Sequence, residues 1–313
     1  MHVIHWPPHS ETKVNLMALN FPAFIKEIGR GAHGARELSA ADAEALFGAM
    51  LDGEVPELEL GAVMIAYRIK GESVAELQAF LRALAKRTAP LAHEPDAMPV
   101  LLPSYNGARK LPNLTPLLAL LLAREGVPVL IHGPAQSYGR VTSATLFAEL
   151  GINPCESIAA INGALKASCL AHASLSLLAP GLERLLNLRA RLGVRSSGHT
   201  LAKLLDPFGG AALRVVSVTH PDYLKRMNEL LLADGGTAVL MRGSEGEPVA
   251  GARRKLDMDC LYKGERIALC STEFSPDAEL PEAIDAATTA RWIQDALAGR
   301  VPVPRTLLQQ CEW

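Results

Sequence analysis

The stretch LFGAMLDGEVP, residues 46–56, joins two helical patterns near the start of the chain. Ser39 is a suitable cap for the first helix, and the apolar side chains after it recur at helical spacing until Gly53. Glycine commonly ends helices because it adopts left-handed backbone angles without steric cost. A second helix is predicted from about Glu57 to Ile69, with its stop at Gly71. The segment therefore predicts two short helices joined by a tight turn.

A third helix is predicted directly after the second. Ser73 and Glu76 form the capping-box pattern, in which each side chain bonds the backbone of the other residue. The apolar stripe of this helix consists of Leu77, Phe80, Leu81 and Leu84. Three short helices with tight connections predict a small helical domain over residues 21–90.

Residues 91–313 follow a different pattern, in which β-rich runs alternate with helical ones. The runs are residues 127–133, 213–219 and 237–243. Strands alternating with helices predict an α/β domain with a mostly parallel sheet, in which residues 170–205 are a candidate to pack on the helical domain. Ligands of such sheets bind beyond the carboxyl ends of the strands, so the loops 134–140 and 244–255 form the candidate site.

The composition is that of an ordinary globular protein. With 313 residues, 49% of them hydrophobic and 20% charged, the chain can bury a large core, and about two domains are expected. Residues 1–20 lack the pattern of a signal peptide and are predicted to be a flexible extension. The sequence contains no apolar run long enough for a membrane span, so a cytoplasmic location is expected.

The five cysteines are odd in number, widely spaced and without a C-x-x-C pair. This spacing argues against a disulfide framework and against a structural zinc site. The sequence therefore predicts reduced thiols.

The segment 46–56, together with Leu60-Gly-Ala62 and Arg68-Ile-Lys-Gly71, resembles the N-terminal helical domain of glycosyltransferase family 3. That family contains anthranilate phosphoribosyltransferase and the pyrimidine-nucleoside phosphorylases. The order of the later segments is similar too, so the resemblance covers nearly the whole chain from about residue 20. It implies the fold of these enzymes and a homodimer joined through the helical domain.

Phosphoribosyl transfer needs an anion cradle for the diphosphate, a magnesium ion, and carboxylates that hold the ion. In the family that the chain resembles, the cradle is a Gly-Thr-Gly-Gly-Asp loop, and the matching stretch is Ser104-Tyr-Asn-Gly-Ala108. Only Gly107 is retained. Because the backbone must approach the phosphate there, the bulky Tyr105 is predicted to obstruct a diphosphate.

Three further motifs of the family are altered. Ile131-His-Gly-Pro134 stands in place of Lys-His-Gly-Asn, and Ser143-Ala-Thr145 stands in place of Ser-Ala-Asp. Pro248-Val249 occupies the positions of the metal-binding Asp-Glu pair, although Glu245 and Glu247 could substitute after a shift. The resemblance therefore implies no metal and no cofactor, with magnesium expected only if transferase activity is retained.

The remnants of the family's site form a set of candidate residues, and no catalytic residue is predicted among them. Arg189 matches the arginine that usually holds the acceptor's carboxylate, and a solvated arginine on a helix surface is the open alternative. For His132, a hydrogen-bonded histidine at a strand end is favoured over a general base, which needs positioned partners. The predicted vestigial anion and acceptor site contains Asn106, Gly107, His132, Gly133, Ser143 and Arg189.

Three local clusters of positive charge stand out from a formal net charge of −2, which excludes binding of nucleic acid by bulk charge. They are residues 183–203, Arg109-Lys110 and Arg253-Arg-Lys255. Arg191 and Arg195 would share a helical face if a helix extends across them. Each cluster alone is typical of a solvated surface, but their position around one altered anion site favours a groove for phosphates. The predicted nucleic-acid-binding residues are Arg109, Lys110, Arg191, Arg195, Lys203, Arg253, Arg254 and Lys255.

Four further segments resemble the paralogues of this family that are described as DNA-binding. They are Gly29-Arg-Gly31, Ala35-Arg36, Val218-Thr-His-Pro221 and Arg242-Gly-Ser-Glu-Gly-Glu247. The resemblance implies a non-catalytic homodimer that binds DNA, and RNA as a further candidate, through basic grooves. Tyr105 and Tyr138 are the only aromatic residues of the site loops, so phosphate contacts with little sequence preference are expected.

Two other functions stay open from the sequence. One is an active phosphoribosyltransferase or phosphorylase with an altered acceptor or donor, for which Gly107, His132 and Arg189 are the surviving residues. The other is a small-anion sensor or a scaffold that has kept only the fold.

Overall fold

The computed structural model describes residues 19–31, 33–135, 139–270 and 279–313. Tyr138 and all of the predicted extension except Leu19 and Asn20 lie outside the described residues. The helices are α1 (Phe21–Ile28), α2 (Ala40–Asp52), α3 (Glu57–Lys70), α4 (Val74–Ala85), α5 (Thr115–Arg124), α6 (Ser143–Glu149), α7 (Ile158–Ser168), α8 (Leu175–Leu178), α9 (Pro180–Asn187), α10 (Arg189–Leu192), α11 (Ser197–Leu201), α12 (Pro221–Asp234), α13 (Ala286–Leu297) and α14 (Arg305–Glu312). The strands are β1 (Val100–Pro103), β2 (Val129–Gly133), β3 (Leu170–Ser174), β4 (Leu213–Ser217), β5 (Ala238–Met241), β6 (Asp257–Tyr262) and β7 (Glu265–Cys270). In the described part of the chain, no helix is both long and apolar enough to cross a bilayer.

The three predicted helices of the bundle are confirmed as α2, α3 and α4. The Ser39 side chain caps α2, which ends at Gly53 with a left-handed φ of 77°. Ser73 and Glu76 form the predicted capping box of α4. The sequence patterns do not predict α1, which begins after an Asn20 cap. Its packing on α3 completes the bundle.

Glu76 ties the bundle together from inside. Its carboxylate accepts hydrogen bonds from the backbone N–H groups of Leu38 (3.0 Å) and Ser73 (2.9 Å) and from the Tyr67 hydroxyl (3.1 Å). It also pairs with Lys70 at 2.6 Å. Because the side chain is fully buried, these partners offset the cost of removing a carboxylate from water. The network holds α3, α4 and the segment before α2 in one arrangement.

The strands of the described residues form a seven-stranded sheet in the order β3-β2-β1-β4-β5-β6-β7. The first five strands of this order pair in parallel, and β6 and β7 are antiparallel. The predicted α/β domain with a mostly parallel sheet is therefore confirmed. The sequence patterns miss β1, β3, β6 and β7. Every residue of β1 is buried, so β1 lacks the alternation that marks a half-buried strand.

The segment between β3 and β4 packs on the helical bundle. Helix α9 lies against α2, where a side chain at Gly181 would overlap the carbonyl oxygen of Leu51. Arg184 donates to the same carbonyl at 2.6 Å. Further along, the Ser197 hydroxyl donates to the Glu72 carboxylate at 2.5 Å. These contacts place residues 195–203 in the cleft between the bundle and the sheet.

Candidate functional site

The carboxyl ends of β1, β2, β4 and β5 meet at one edge of the sheet, as expected for parallel strands. The loop 104–111 follows β1, and the loop 242–256 follows β5. We call the first the cradle loop, because it matches the family's phosphate-binding loop. The two loops touch each other directly, and their contacts decide what the site can bind.

The cradle loop is occupied by a carboxylate of the protein itself. Glu247 accepts hydrogen bonds from the backbone N–H groups of Asn106 (3.0 Å) and Gly107 (2.7 Å). The hydroxyl of Ser104 also donates to it, as does that of Thr115 at 3.3 Å. Gly107 has a left-handed φ of 69°, which a glycine adopts without steric cost. Glu247 therefore sits where backbone amides would otherwise cradle a phosphate.

Burial defines the state of Glu247. The residue is only 1% exposed, and desolvation raises the pKa of its carboxyl group. The hydrogen bonds from Ser104, Gly107 and Asn106 oppose that rise, because they stabilise the charged form. The carboxylate is therefore enclosed by the protein and does not face solvent.

Glu245 fills the next part of the same loop. Its carboxylate accepts from three successive backbone N–H groups, those of Arg109 (3.1 Å), Lys110 (2.7 Å) and Leu111 (2.8 Å). Three successive N–H groups form the concave nest that typically binds an anion. The Tyr105 side chain is mostly buried and points toward another cavity. The predicted obstruction of a diphosphate thus comes from Glu245 and Glu247, and not from Tyr105.

These contacts also test whether the residues fit a magnesium ion. Glu245 and Glu247 have their oxygens committed to N–H and hydroxyl donors, and Pro248 and Val249 carry no side-chain oxygen. Across the described ranges, no group of three or more His, Cys, Asp or Glu residues is arranged to hold a metal ion. The present residues do not fit the magnesium site of the family.

His132 does not have the surroundings of a general base. It is 1% exposed, and neither ring nitrogen hydrogen-bonds to a described residue, contrary to the expected hydrogen-bonded histidine. Burial lowers the pKa of His132 to about 4, so the ring is neutral at pH 7. The neighbouring vestigial residues are structural, since a side chain at Gly133 would overlap the Ser104 carbonyl and Ser143 bonds the Ser104 hydroxyl at 2.6 Å.

Cationic side chains surround the mouth of the filled cradle. Arg195 donates to the side-chain oxygen of Asn106, and its guanidinium lies 6.0 Å from the Tyr105 ring centroid. The Lys203 ammonium lies 5.8 Å from the same centroid. A cavity of about 240 Å³ opens beside them. We call this group the basic cleft, and its members are Arg109, Arg140, Arg189, Arg195 and Lys203.

The pKa values of neighbouring groups show that these cations are close together. Burial lowers the pKa of Arg140, and the charges of Arg195, Arg109 and Arg189 lower it further. Desolvation, then Arg195, Arg189 and Lys203, lower the pKa of His199 to about 3. Glu245 lies 3.8 Å from Arg140 and is committed to the cradle loop, and Glu72, an acid that lines the cavity, accepts a hydrogen bond from Ser197. The cleft therefore carries an excess of positive charge.

Of the other predicted binding residues, Lys110 adjoins Arg109 in the cradle loop, and the rest fall outside the basic cleft. Arg191 is exposed and forms two 3.0 Å bonds with Glu57 of the bundle. Helix α10 ends at Leu192, so Arg191 and Arg195 do not share a helical face, and that expectation is wrong. Gly193 takes a left-handed φ of 72° and turns the chain away. Arg253, Arg254 and Lys255 lie beyond β5, at the same edge of the sheet.

Sequence reasoning missed Arg140 as a member of the cleft and missed the role of the two glutamates. Arg140 stands alone in its loop, so a search for adjacent basic residues passes over it. Glu245 and Glu247 offered one weak signal, namely two carboxylates on either side of a glycine in a predicted site loop. Their targets are backbone N–H groups about 135 to 140 positions earlier, which no local pattern reveals.

Comparison with known proteins agrees with this fold. Residues 22–88 match the model of a glycosyl transferase family, helical bundle domain. YbiB of Escherichia coli K12, which is described as uncharacterized, is 43% identical over 92% of this chain and 91% of its own. The chain belongs to the same family as YbiB. An anthranilate phosphoribosyltransferase of Beijerinckia indica is 25% identical over 90% of the chain and 82% of its own length.

Solved structures of anthranilate phosphoribosyltransferases have the same fold. The enzyme of Thermus thermophilus superimposes with a TM-score of 0.70 at 25% identity, covering 92% of this chain and 85% of the enzyme. The enzyme of Saccharomyces cerevisiae in complex with PRPP and Mg gives a TM-score of 0.71 at 12% identity, over 92% of this chain and 85% of its own. The family resemblance inferred from residues 46–71 is therefore confirmed for the fold and the helical domain.

Proposed function

We propose that this protein binds nucleic acid without catalysis, through the basic cleft. One observation carries the proposal: the cradle loop is filled by Glu245 and Glu247, while cations remain at its mouth. A diphosphate would have to displace two carboxylates from at least five backbone N–H groups. A longer polyanion contacts the cations at the mouth without entering the cradle. In this proposal, the fold binds phosphate groups at its surface and not inside the cradle loop.

The chemistry of the cleft favours sequence-tolerant binding of DNA, with RNA as a second candidate ligand. Arg195, Lys203 and the exposed Arg109 and Lys110 supply charge for phosphate contacts, which carry no sequence information. Arg253-Arg-Lys255 lies further along the same edge, where a bound strand would leave the cleft. Arg191 contributes least, because its charge is paired with Glu57. We place this activity in the cytoplasm.

A gel-shift titration tests the proposed function. Single-stranded and double-stranded DNA of several unrelated sequences are titrated with the full-length protein at a series of salt concentrations. Binding should weaken steeply with salt, with a logarithmic slope of about −0.9 per phosphate contact on duplex DNA, and should differ little between sequences. An affinity without a salt slope would contradict the proposal. The same titration with RNA determines whether the 2′-hydroxyl changes the affinity.

We also propose that the protein is a homodimer joined through the helical bundle. Leu58, Ala62, Ile65 and Ile69 recur on α3 at spacings of four, three and four residues, which places them on one face. Leu58 is 82% exposed and Ile69 is 63% exposed. Ala62 and Ile65 between them are half-buried. A row of exposed and half-buried apolar residues along one helix fits a second copy of the same helix across a two-fold axis.

Replacing Leu58 and Ile69 with aspartate should convert the dimer to a monomer, because four carboxylates would enter the interface without partners. Sedimentation velocity of the full-length variant measures the change. Leu308→Asp, at an exposed leucine of α14, is the matched control and should leave the dimer intact. A wild-type protein that sediments as a monomer would overturn this assignment without affecting the proposal of nucleic-acid binding.

A further inference from the structure

A second cavity lies between helix α12 and the antiparallel part of the sheet. Its volume is about 740 Å³, which is within the usual range for small-molecule sites. Apolar side chains from three elements contribute to its lining: Leu224 from α12, Leu240 from β5 and Leu256 from the loop before β6. The cavity is distinct from the basic cleft, because its lining residues do not include any member of that cleft.

The strand register places charged side chains on the floor of this cavity. Leu240 of β5 is opposite Asp259 of β6, so Arg242 and Asp257 occupy the next positions on the same face. Arg266 of β7 is opposite Leu261, two positions beyond Asp259, and it therefore shares that face. Arg266 pairs with Asp259 at 2.9 Å. This ion pair neutralises one acid of the floor.

The lining has more cations than acids. Five basic side chains line the cavity against two acidic ones, Asp257 and Asp259. The basic residues are Lys225, Arg242, Arg254, Lys255 and Arg266. Since Arg266 is matched to Asp259, four cations face one acid. Lys225 and Leu224 belong to the same turn of α12, so charge and apolar surface occur side by side.

Arg254 gives the site a fixed geometry. Its guanidinium donates to the backbone carbonyl oxygens of Arg242 (2.7 Å) and Gly243 (2.5 Å). Burial lowers the pKa of Arg254, and the charge of Arg242, which lines the same cavity, lowers it further. A phosphate group between them would relieve this repulsion and accept planar, charge-assisted hydrogen bonds.

We propose that this cavity binds a small organic phosphate of nucleotide size. The cationic floor and rim suit the phosphate groups, and the leucine walls suit a flat, partly apolar ring. The cavity and the basic cleft lie on different sides of the loop between β5 and β6. The cavity does not use any residue of the basic cleft, but Arg254 and Lys255 line both this cavity and the proposed path of a strand that leaves the cleft.

Isothermal titration of the full-length protein with ATP tests the site, in the presence of a chelator and of about 0.15 M salt to screen non-specific charge attraction. We expect saturable ATP binding and no binding of adenosine, which lacks phosphates. Lys225→Ala combined with Arg242→Ala should weaken ATP binding by at least about tenfold, because hydrogen bonds to charged groups are lost. Both residues are exposed, so the fold should be retained.

Lys203→Ala is the matched control and should bind ATP as the wild type does. If Lys203→Ala loses as much affinity for ATP as the double variant does, the nucleotide binds in the basic cleft and the proposal is overturned. Absence of ATP binding to the wild type would also overturn it. Inorganic tripolyphosphate has no ring. If it binds as tightly as ATP, the proposal that the leucine side chains contact a ring is overturned. If a short oligonucleotide displaces ATP and the double variant binds neither ligand, the cavity is a nucleic-acid site instead.

Discussion

Glu247→Ala should lower the free energy of unfolding by about 3 kcal/mol, because buried hydroxyl and N–H donors lose their acceptor. Pyrophosphate should recover much of this loss, since the vacated cradle presents the N–H groups of Asn106 and Gly107 to an anion. A ligand at about a hundred times its Kd restores about 2.7 kcal/mol. Denaturant unfolding with and without pyrophosphate measures both effects. Pyrophosphate should stabilise the wild type less than this variant, because Glu247 fills the cradle in the wild type.

Glu76→Ala provides the matched control for this experiment. Glu76 is another buried carboxylate that accepts from backbone N–H groups, but it lies in the helical bundle, away from the cradle loop. This variant should also lose stability, and pyrophosphate should not restore it. If Glu247→Ala loses stability and pyrophosphate has no effect, the loop is not a latent anion site. If pyrophosphate stabilises the wild type as much as it stabilises Glu247→Ala, the two glutamates do not close the cradle.

Reversing two charges of the basic cleft, Arg195→Glu with Lys203→Glu, should weaken DNA binding about 100-fold near 0.1 M salt. Each lost phosphate contact removes about 0.9 from the salt slope, so the slope should fall by about 1.8. The effect should be alike for all sequences, because these residues contact phosphates rather than bases. Gel-shift titrations at several salt concentrations measure the affinity and the slope together.

Two further variants distinguish the loss of phosphate contacts from a general change in the protein surface. Arg195→Gln with Lys203→Gln keeps polar side chains in the cleft, and it should lower the slope by a similar amount with a smaller loss of affinity. Lys166→Glu is the matched control, because Lys166 lines a cavity with Pro99 and Pro128, at the opposite edge of the sheet. It should bind as the wild type does. An unchanged slope in both cleft variants would remove Arg195 and Lys203 from the binding surface.

The helical bundle could be predicted from the sequence because its signals are local. Capping by Ser39, the stop at Gly53 and the capping box of Ser73 and Glu76 each involve residues within one helical turn or at one helix end. The parallel sheet was predicted from three of its strands. Strands β1 and β3 were missed, and β1, which is buried along its whole length, shows no alternation.

The positions of the basic residues show where sequence reasoning fails. The adjacent cations Arg109 and Lys110 were found from the sequence. Arg191 and Arg195 are separated, because α10 ends at Leu192 and the chain turns at Gly193. Arg140 joins the cleft from a different loop, with no basic neighbour in sequence. Whether a cation is free for a ligand depends on what lies opposite it, as the Glu57 partner of Arg191 shows.

The sequence by itself determined the helical bundle, the class of the α/β domain and the departure from the motifs of the transferases. Only the tertiary structure decided what replaces the lost chemistry. Glu245 and Glu247 are ordinary loop residues in the sequence, and they become internal anions because β1 and β5 end at the same edge of one sheet. Backbone N–H groups have no side-chain signature, so a carboxylate that binds them can be recognised only once the fold brings the two loops together.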